Sequence, residues 1–171
     1  MEITRLILRE RTSEKMNALL HATVDAQATF FGTTDSEKIK DELERITNGI
    51  YQNFYTGIYY DILLKENQRV IGSAGFHTWW RKHDRAEIGY WLNDEADRGK
   101  GYMNEVLPML LDYGFTKMNL HRIEAFTSMD NEASINLLKK YGFLEEATIH
   151  GRYKMPDGSY EDDVLFYLLK G

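Results

Sequence analysis

The chain has 171 residues, 43% hydrophobic and 28% charged, with 13 Gly and 2 Pro. This composition suits one globular domain and excludes collagen-like, low-complexity and wholly disordered chains. Its 21 Lys and Arg against 27 Asp and Glu leave a net charge of -6, which argues against nucleic acid as the default partner and suits a cationic substrate better. With no Cys, disulfides, thiolate metal sites and cysteine nucleophiles are excluded, and a cytoplasmic setting fits.

No apolar run approaches the ~20 residues that span a bilayer, and Met1 to Arg5 lacks the apolar core of a signal peptide. Alternation of Leu6 and Leu8 with Arg5, Ile7 and Arg9 predicts a strand from Ile3 to Arg9. A helix is expected after Thr12, with Met16, Leu19 and Leu20 on one face. Thr34-Asp-Ser-Glu37 matches a capping box, and Ile39, Leu43, Ile46 and Ile50 follow at helical spacing. Ile58 to Leu64 and Arg69 to His77 read as antiparallel strands about a turn at Lys65 to Gln68. A turn from Trp79 to Asp84 leads to a strand from Arg85 to Leu92.

From Gly101, the residues Met103, Val106, Leu107, Leu110, Leu111 and Phe115 repeat as one helical face. Pro108 inside it removes one backbone hydrogen bond. A strand from Arg122 to Thr127 and a helix from Asn131 to Tyr141, ended by Gly142, come next. Phe143 to Tyr153 and Val164 to Leu169 read as a hairpin closed by Met155-Pro-Asp-Gly-Ser159. The order βααβββαβαββ predicts an α+β class: about seven strands in one mixed, mostly antiparallel sheet, flanked by four helices.

The segment that carries chemistry is Arg85-Ala-Glu-Ile-Gly-Tyr-Trp-Leu92 followed, after a short acidic link, by Arg98-Gly-Lys-Gly-Tyr-Met103. A strand runs into a glycine loop and the loop into a helix start. The first helical N–H groups lack intrahelical partners, glycines let the backbone approach a phosphate, and Arg98 and Lys100 add charge. That pattern favours a diphosphate. It is not a P-loop, because Gly101 follows Lys100 where Ser or Thr is needed. Nor is it a dinucleotide loop, because Asn104 replaces the third Gly. Gly72-Ser-Ala-Gly75 does not match a nucleophile elbow. The His residues at 21, 77, 83, 121 and 150 show no i, i+4 metal pair, so no metal is expected.

At these residues the sequence resembles the GNAT family of acetyl-CoA-dependent N-acetyltransferases, in the branch with ribosomal-protein N-terminal and polyamine acetyltransferases. The resemblance runs through Thr4-Arg-Leu-Ile-Leu-Arg9, Ala86 to Leu92, Gly99 to Met103, Asp112 to Phe115, Asn119 to Arg122, Asn131 to Ser134 and Lys140 to Phe143. It implies one GNAT domain over 1–171 and a cytoplasmic monomer or homodimer. It also implies acetyl transfer to a primary amine, either a protein N-terminus, such as that of a ribosomal protein, or a small cationic amine. Alternatives are a polyamine-type acceptor or a CoA-binding module without turnover.

The resemblance further implies that Arg98, Gly99, Lys100, Gly101, Tyr102 and Met103 hold the CoA diphosphate. Tyr90, Trp91 and Leu92 would pair with the pantetheine arm, with the Leu92 N–H polarising the thioester carbonyl. Asn131 matches a pantetheine contact and Ser134 a position that protonates the departing thiolate. Two positions depart from the pattern. Ala96 stands where the family loop has Gln or Arg, and Leu138 where many members have a Tyr acid. That leaves Ser134, then Tyr141, as the acid.

Glu87 is the first choice of general base, against the plain alternative of a salt-bridged strand residue. Glu145 and Glu146 are weaker choices. Each other candidate also has a plain reading. Asn131 and Ser134 fit a helix cap. Trp79 and Trp80 fit either packing or a cation-binding lip. Tyr51, Phe54, Tyr55, Tyr59 and Tyr60 fit the core, and Glu161-Asp-Asp163 a solvated turn.

Overall fold

A computed structural model describes residues 3–47 and 57–171. Ile50, Tyr51, Phe54 and Tyr55 lie outside the described residues. The elements are β1 (Leu6–Arg11), α1 (Ser13–Leu19), α2 (Val24–Phe31), α3 (Ser36–Thr47), β2 (Ile58–Leu64), β3 (Val70–Trp80) and β4 (Arg85–Leu92). They continue with α4 (Tyr102–Thr116), β5 (Arg122–Ser128), α5 (Glu132–Lys140), β6 (Leu144–Lys154) and β7 (Tyr160–Leu169). The seven strands form one mixed sheet in the order β1-β2-β3-β4-β5-β7-β6, as the α+β reading expects. The chain divides into two compact units, Met1–His77 with Tyr90–Glu105, and Thr78–Gly89 with Val106–Gly171.

In the first unit β1 pairs antiparallel with β2, from Leu6 opposite Leu64 to Arg11 opposite Tyr59. The strand starts later than the expected Ile3, whose N–H closes a turn on the Leu6 carbonyl. Thr12 caps α1 by accepting from the Lys15 N–H at 3.3 Å. Met16 and Leu19 then pack with Ile46 of α3, with Leu20, Phe30, Phe31 and Leu43 around them. The described residues hold five helices where the pattern predicts four. The extra one, α2, has no clean apolar stripe: Val24 is exposed. Its buried residue is Gln27, whose amide donates to the Leu19 carbonyl at 2.8 Å.

The cap of α3 is Asp35, one residue after the expected Thr34; its carboxylate accepts from the N–H groups of Glu37 and Lys38. Asp61 on β2 is buried between Arg9 and Arg11 of β1, and Arg11 also faces Glu42 of α3 at 3.6 Å. A buried carboxylate needs this full set of partners. Tyr60 is core, as expected, and Tyr59 is half-buried.

In the second unit β5 buries Ile123, Ala125 and Thr127 in strict alternation. It runs parallel to β4 and antiparallel to β7, which pairs with β6. Val106, Leu107, Leu110 and Leu111 of α4 are buried, and Pro108 sits on its exposed side. Asn131 caps α5 and Gly142 follows it at φ +84°, a conformation that favours glycine.

The acidic run Glu161 to Asp163 is not a solvated turn. β7 begins at Tyr160, four residues earlier than expected, and Asp163 is 4% exposed. Its charge is tolerated there because Arg152 reaches it, a contact 11 residues apart in sequence that no local pattern reveals.

Candidate active site

The glycine loop belongs to the first unit and is built from both sides. After Leu92 the Asn93 N–H bonds the Ile71 carbonyl at 2.9 Å, tying the strand end to β3. The Asp94 carboxylate accepts from the Ala96 N–H at 2.8 Å and starts a single 3-10 turn over Glu95–Asp97. Gly99 and Gly101 then take φ of +72° and +78° on either side of Lys100, and α4 starts at Tyr102. Left-handed glycines beside a helix start turn successive backbone amides to one side and form an anion cradle.

The cradle is open. A Cβ on Gly99 would meet nothing within 4 Å, and one on Gly101 would meet only the Arg5 guanidinium, at 3.7 Å. Three contacts set its shape. Asp97, its side chain 1% exposed, accepts two hydrogen bonds from Arg69, at 2.8 and 2.7 Å. It also lies 3.5 Å from the Lys100 ammonium. The Arg69 hydrogen bonds hold the Asp97 carboxyl below its usual range. The Arg5 guanidinium donates to the Lys100 carbonyl at 2.9 Å, pairs with Glu105 and stacks on Tyr102 at 4.7 Å. Arg98 reaches Glu95 at 3.3 Å and keeps 64% of its side chain exposed. Tyr102 is itself buried, its ring under the Arg5 guanidinium.

The end of β4 depends on a residue the sequence motifs pass over. A Cβ on Gly72 would lie 2.1 Å from the Trp91 carbonyl oxygen. Only glycine lets β3 come that close to Trp91. Trp91 is 52% exposed, while Tyr90 and Leu92 are half-buried.

The second unit carries the proposed acid and base residues. The ladder between β4 and β5 covers Arg85 to Glu87 and stops with Glu87 opposite Glu124. Glu87 is 14% exposed and its carboxylate lies 3.6 Å from Arg152, so it is both a strand residue and salt-bridged. Asn131 and Ser134 come together at the start of α5, where the Asn131 side-chain oxygen accepts from the Ser134 N–H at 3.1 Å. Ser134 is half-buried and Leu138 fully buried, so the departure at Leu138 leaves an apolar core residue there.

Tyr141 closes the opposite end of α5, about 10 Å along the axis from Ser134 at 1.5 Å per residue. The two hydroxyl candidates therefore do not share one position. Glu145 pairs with Lys139 at 3.6 Å and Glu146 with Arg122, both at the surface. The paired Trp rings already carry the chain's own cations: Arg81 lies over Trp79 at 4.1 Å and Arg85 over the exposed Trp80 at 4.9 Å.

The model of the acetyltransferase (GNAT) domain matches residues 5–144. The chain belongs to the GNAT acetyltransferase family. Over 173 aligned residues this N-acetyltransferase is 34% identical to the uncharacterized N-acetyltransferase YoaA of Bacillus subtilis, covering 99% of this chain and 96% of the relative. Its fold is shared with the ribosomal alpha-N-protein acetyltransferase RimL, solved with coenzyme A (TM-score 0.72, 21% identity, 98% of each chain). It is shared equally with spermidine N-acetyltransferase of Vibrio cholerae (TM-score 0.69, 20% identity, 96% of this chain and 94% of the other). Among the described residues, no helix of the acetyltransferase is long and apolar enough to cross a membrane. No group of three or more His, Asp or Glu among them is arranged to hold a metal ion.

Proposed function

We propose that this enzyme moves the acetyl group of acetyl-CoA to a primary amine by direct attack in a ternary complex, with residues 1–171 acting as one cytoplasmic domain. The observation that carries the cofactor half is the open cradle at Gly99 and Gly101, with positive φ at both and the start of a 15-residue helix beside it. Backbone amides from Gly99 to Met103 would hold the diphosphate, with Arg98 and Lys100 supplying charge. The backbone of Tyr90, Trp91 and Leu92 would take the pantetheine arm, and the Leu92 N–H would polarise the thioester carbonyl. Asn131 would keep its cap and offer its amide nitrogen to the same arm.

An alkyl ammonium has a pKa near ~10, so the acceptor must lose a proton before it attacks. Glu87 takes that proton through water. Ser134 returns a proton to the sulfur as the carbon–sulfur bond breaks. The ammonium gives up two protons: one passes to Glu87 before attack, and the second leaves the nitrogen as the tetrahedral intermediate collapses and replaces the proton that Ser134 gives to the sulfur, so the acetamide forms and CoA leaves as the thiol.

The acceptor is a protein N-terminus or a small cationic amine. The net charge of -6 favours a cation. RimL and spermidine N-acetyltransferase share the fold and mark these two acceptor classes. Thiol release, with mass detection of the acetylated product, across N-terminal peptides and polyamines tests the proposal. Release of CoA with one amine class supports it. Tight CoA binding with no release on any amine would leave a CoA-binding module instead.

A further inference from the structure

The β6–β7 ladder breaks where the second unit reaches Glu87. Ile149 faces Asp163 while Tyr153 faces Glu161, so four steps on β6 match two on β7. The surplus residues form a bulge with Gly151 at φ +62°. Asp162 clamps it: one carboxylate oxygen accepts from the Gly151 N–H at 2.8 Å and the other lies 2.7 Å from His150 Nδ1. A bulge re-aims the side chain that follows it. Here that side chain is Arg152.

The Arg152 guanidinium lies 3.4 Å from the centre of the Phe126 ring. One of its nitrogens is 3.2 Å from Asp163, whose side chain is 5% exposed, and another is 3.6 Å from Glu87. Arg152 itself is 23% exposed. An exposed ion pair contributes little, because two long side chains must be ordered to make it. This one differs, since the ring face and the buried Asp163 already immobilise the guanidinium plane. Its remaining edge is presented to Glu87 with little further ordering. At 3.6 Å the contact is an ion pair and not a hydrogen bond. It orients the carboxylate without itself occupying a lone pair that a proton or water must reach.

We propose that Arg152 is the positioning residue for Glu87, aimed by the Asp162-clamped bulge and locked by Phe126 and Asp163. This rests on Glu87 being the base. A Lys should replace it poorly, because a point-like ammonium lacks the planar fork that lies flat on Phe126 while its two edges meet Asp163 and Glu87.

The test is steady-state kinetics on wild type, E87Q, R152Q, R152K and E87Q/R152Q, with CoA affinity measured calorimetrically for each. Gln can still donate one hydrogen bond to Asp163, but the buried carboxylate loses its cation, so the melting temperature of each variant is measured beside its kinetics. R152Q is expected to lower kcat by about 10- to 100-fold, the scale of a misplaced catalytic group. CoA affinity stays within about twofold in every variant, and the double variant is no slower than E87Q alone. R152K recovers less than half of the loss. If R152Q does not fold, the same cycle with R152K decides.

Independent, multiplying losses in the double variant would overturn the proposal while leaving Glu87 as the base. A wild-type kcat in R152Q would also overturn it, as would a large fall in CoA affinity. A wild-type kcat in E87Q would remove the base assignment itself and this proposal with it.

Discussion

Replacing Asp97 by Asn tests how the phosphate cradle is held. The carboxylate is 1% exposed and accepts two hydrogen bonds from Arg69, at 2.8 and 2.7 Å. Asn keeps one acceptor oxygen and turns an NH2 group toward a guanidinium nitrogen. One charge-assisted hydrogen bond to a buried group contributes about 1.5–3 kcal/mol. The Lys100 contact, half exposed at 3.5 Å, adds little. We expect D97N to lose about 2–3 kcal/mol at pH 7, a fall of roughly 5–10 °C in melting temperature for a chain of this size.

The pH dependence has a definite sign. The hydrogen bonds from Arg69 hold the folded-state pKa of Asp97 below the ordinary Asp value of about 3.9. Its stabilisation is therefore complete above that value and is lost as pH falls through the lower folded value. The gap between wild type and D97N should stay constant from about pH 5 to 8 and narrow in stronger acid. Urea unfolding at several pH values measures it. Equal stability at pH 7, or a gap that widens toward acid, would refute this reasoning.

Other substitutions probe separate parts of the site. G72A places a Cβ 2.1 Å from the Trp91 carbonyl. The β4 end must shift, so stability falls by about 1–3 kcal/mol and KM for acetyl-CoA rises; unchanged kinetics and melting would contradict the close approach. S134A should lower kcat by about 100-fold or more while Y141F leaves kcat near wild type, because they sit at opposite ends of α5; the reverse order would assign the acid to Tyr141.

Much of the frame was legible in the sequence because local rules govern it. β2 and β4 carry the expected bounds, since each is a short alternating or apolar run with turn residues at both ends. The helix start after the glycines and the Asn131 to Gly142 helix follow from cap chemistry. The unread parts depend on partners distant in sequence or on polar burial. Gln27 makes α2 a helix whose inward face is not apolar. Arg69 and Asp97 are 28 positions apart, and Arg152 reaches Asp163 and Glu87 only through a bulge. Asp61, Asp97 and Asp163 read as surface charges by residue type, yet all three are buried because an Arg meets each one.

The central claim, that a diphosphate sits on the amides beside Gly101, is tested most directly by calorimetric titration of CoA into wild type and G101E. The new side chain starts in open space, 3.7 Å from its nearest neighbour, so folding should survive apart from the cost of a left-handed non-glycine residue, about 1–2 kcal/mol. Its carboxylate then repels the ligand. Binding heat for wild type and none for a folded G101E is the predicted result; equal CoA affinity in both would contradict the account.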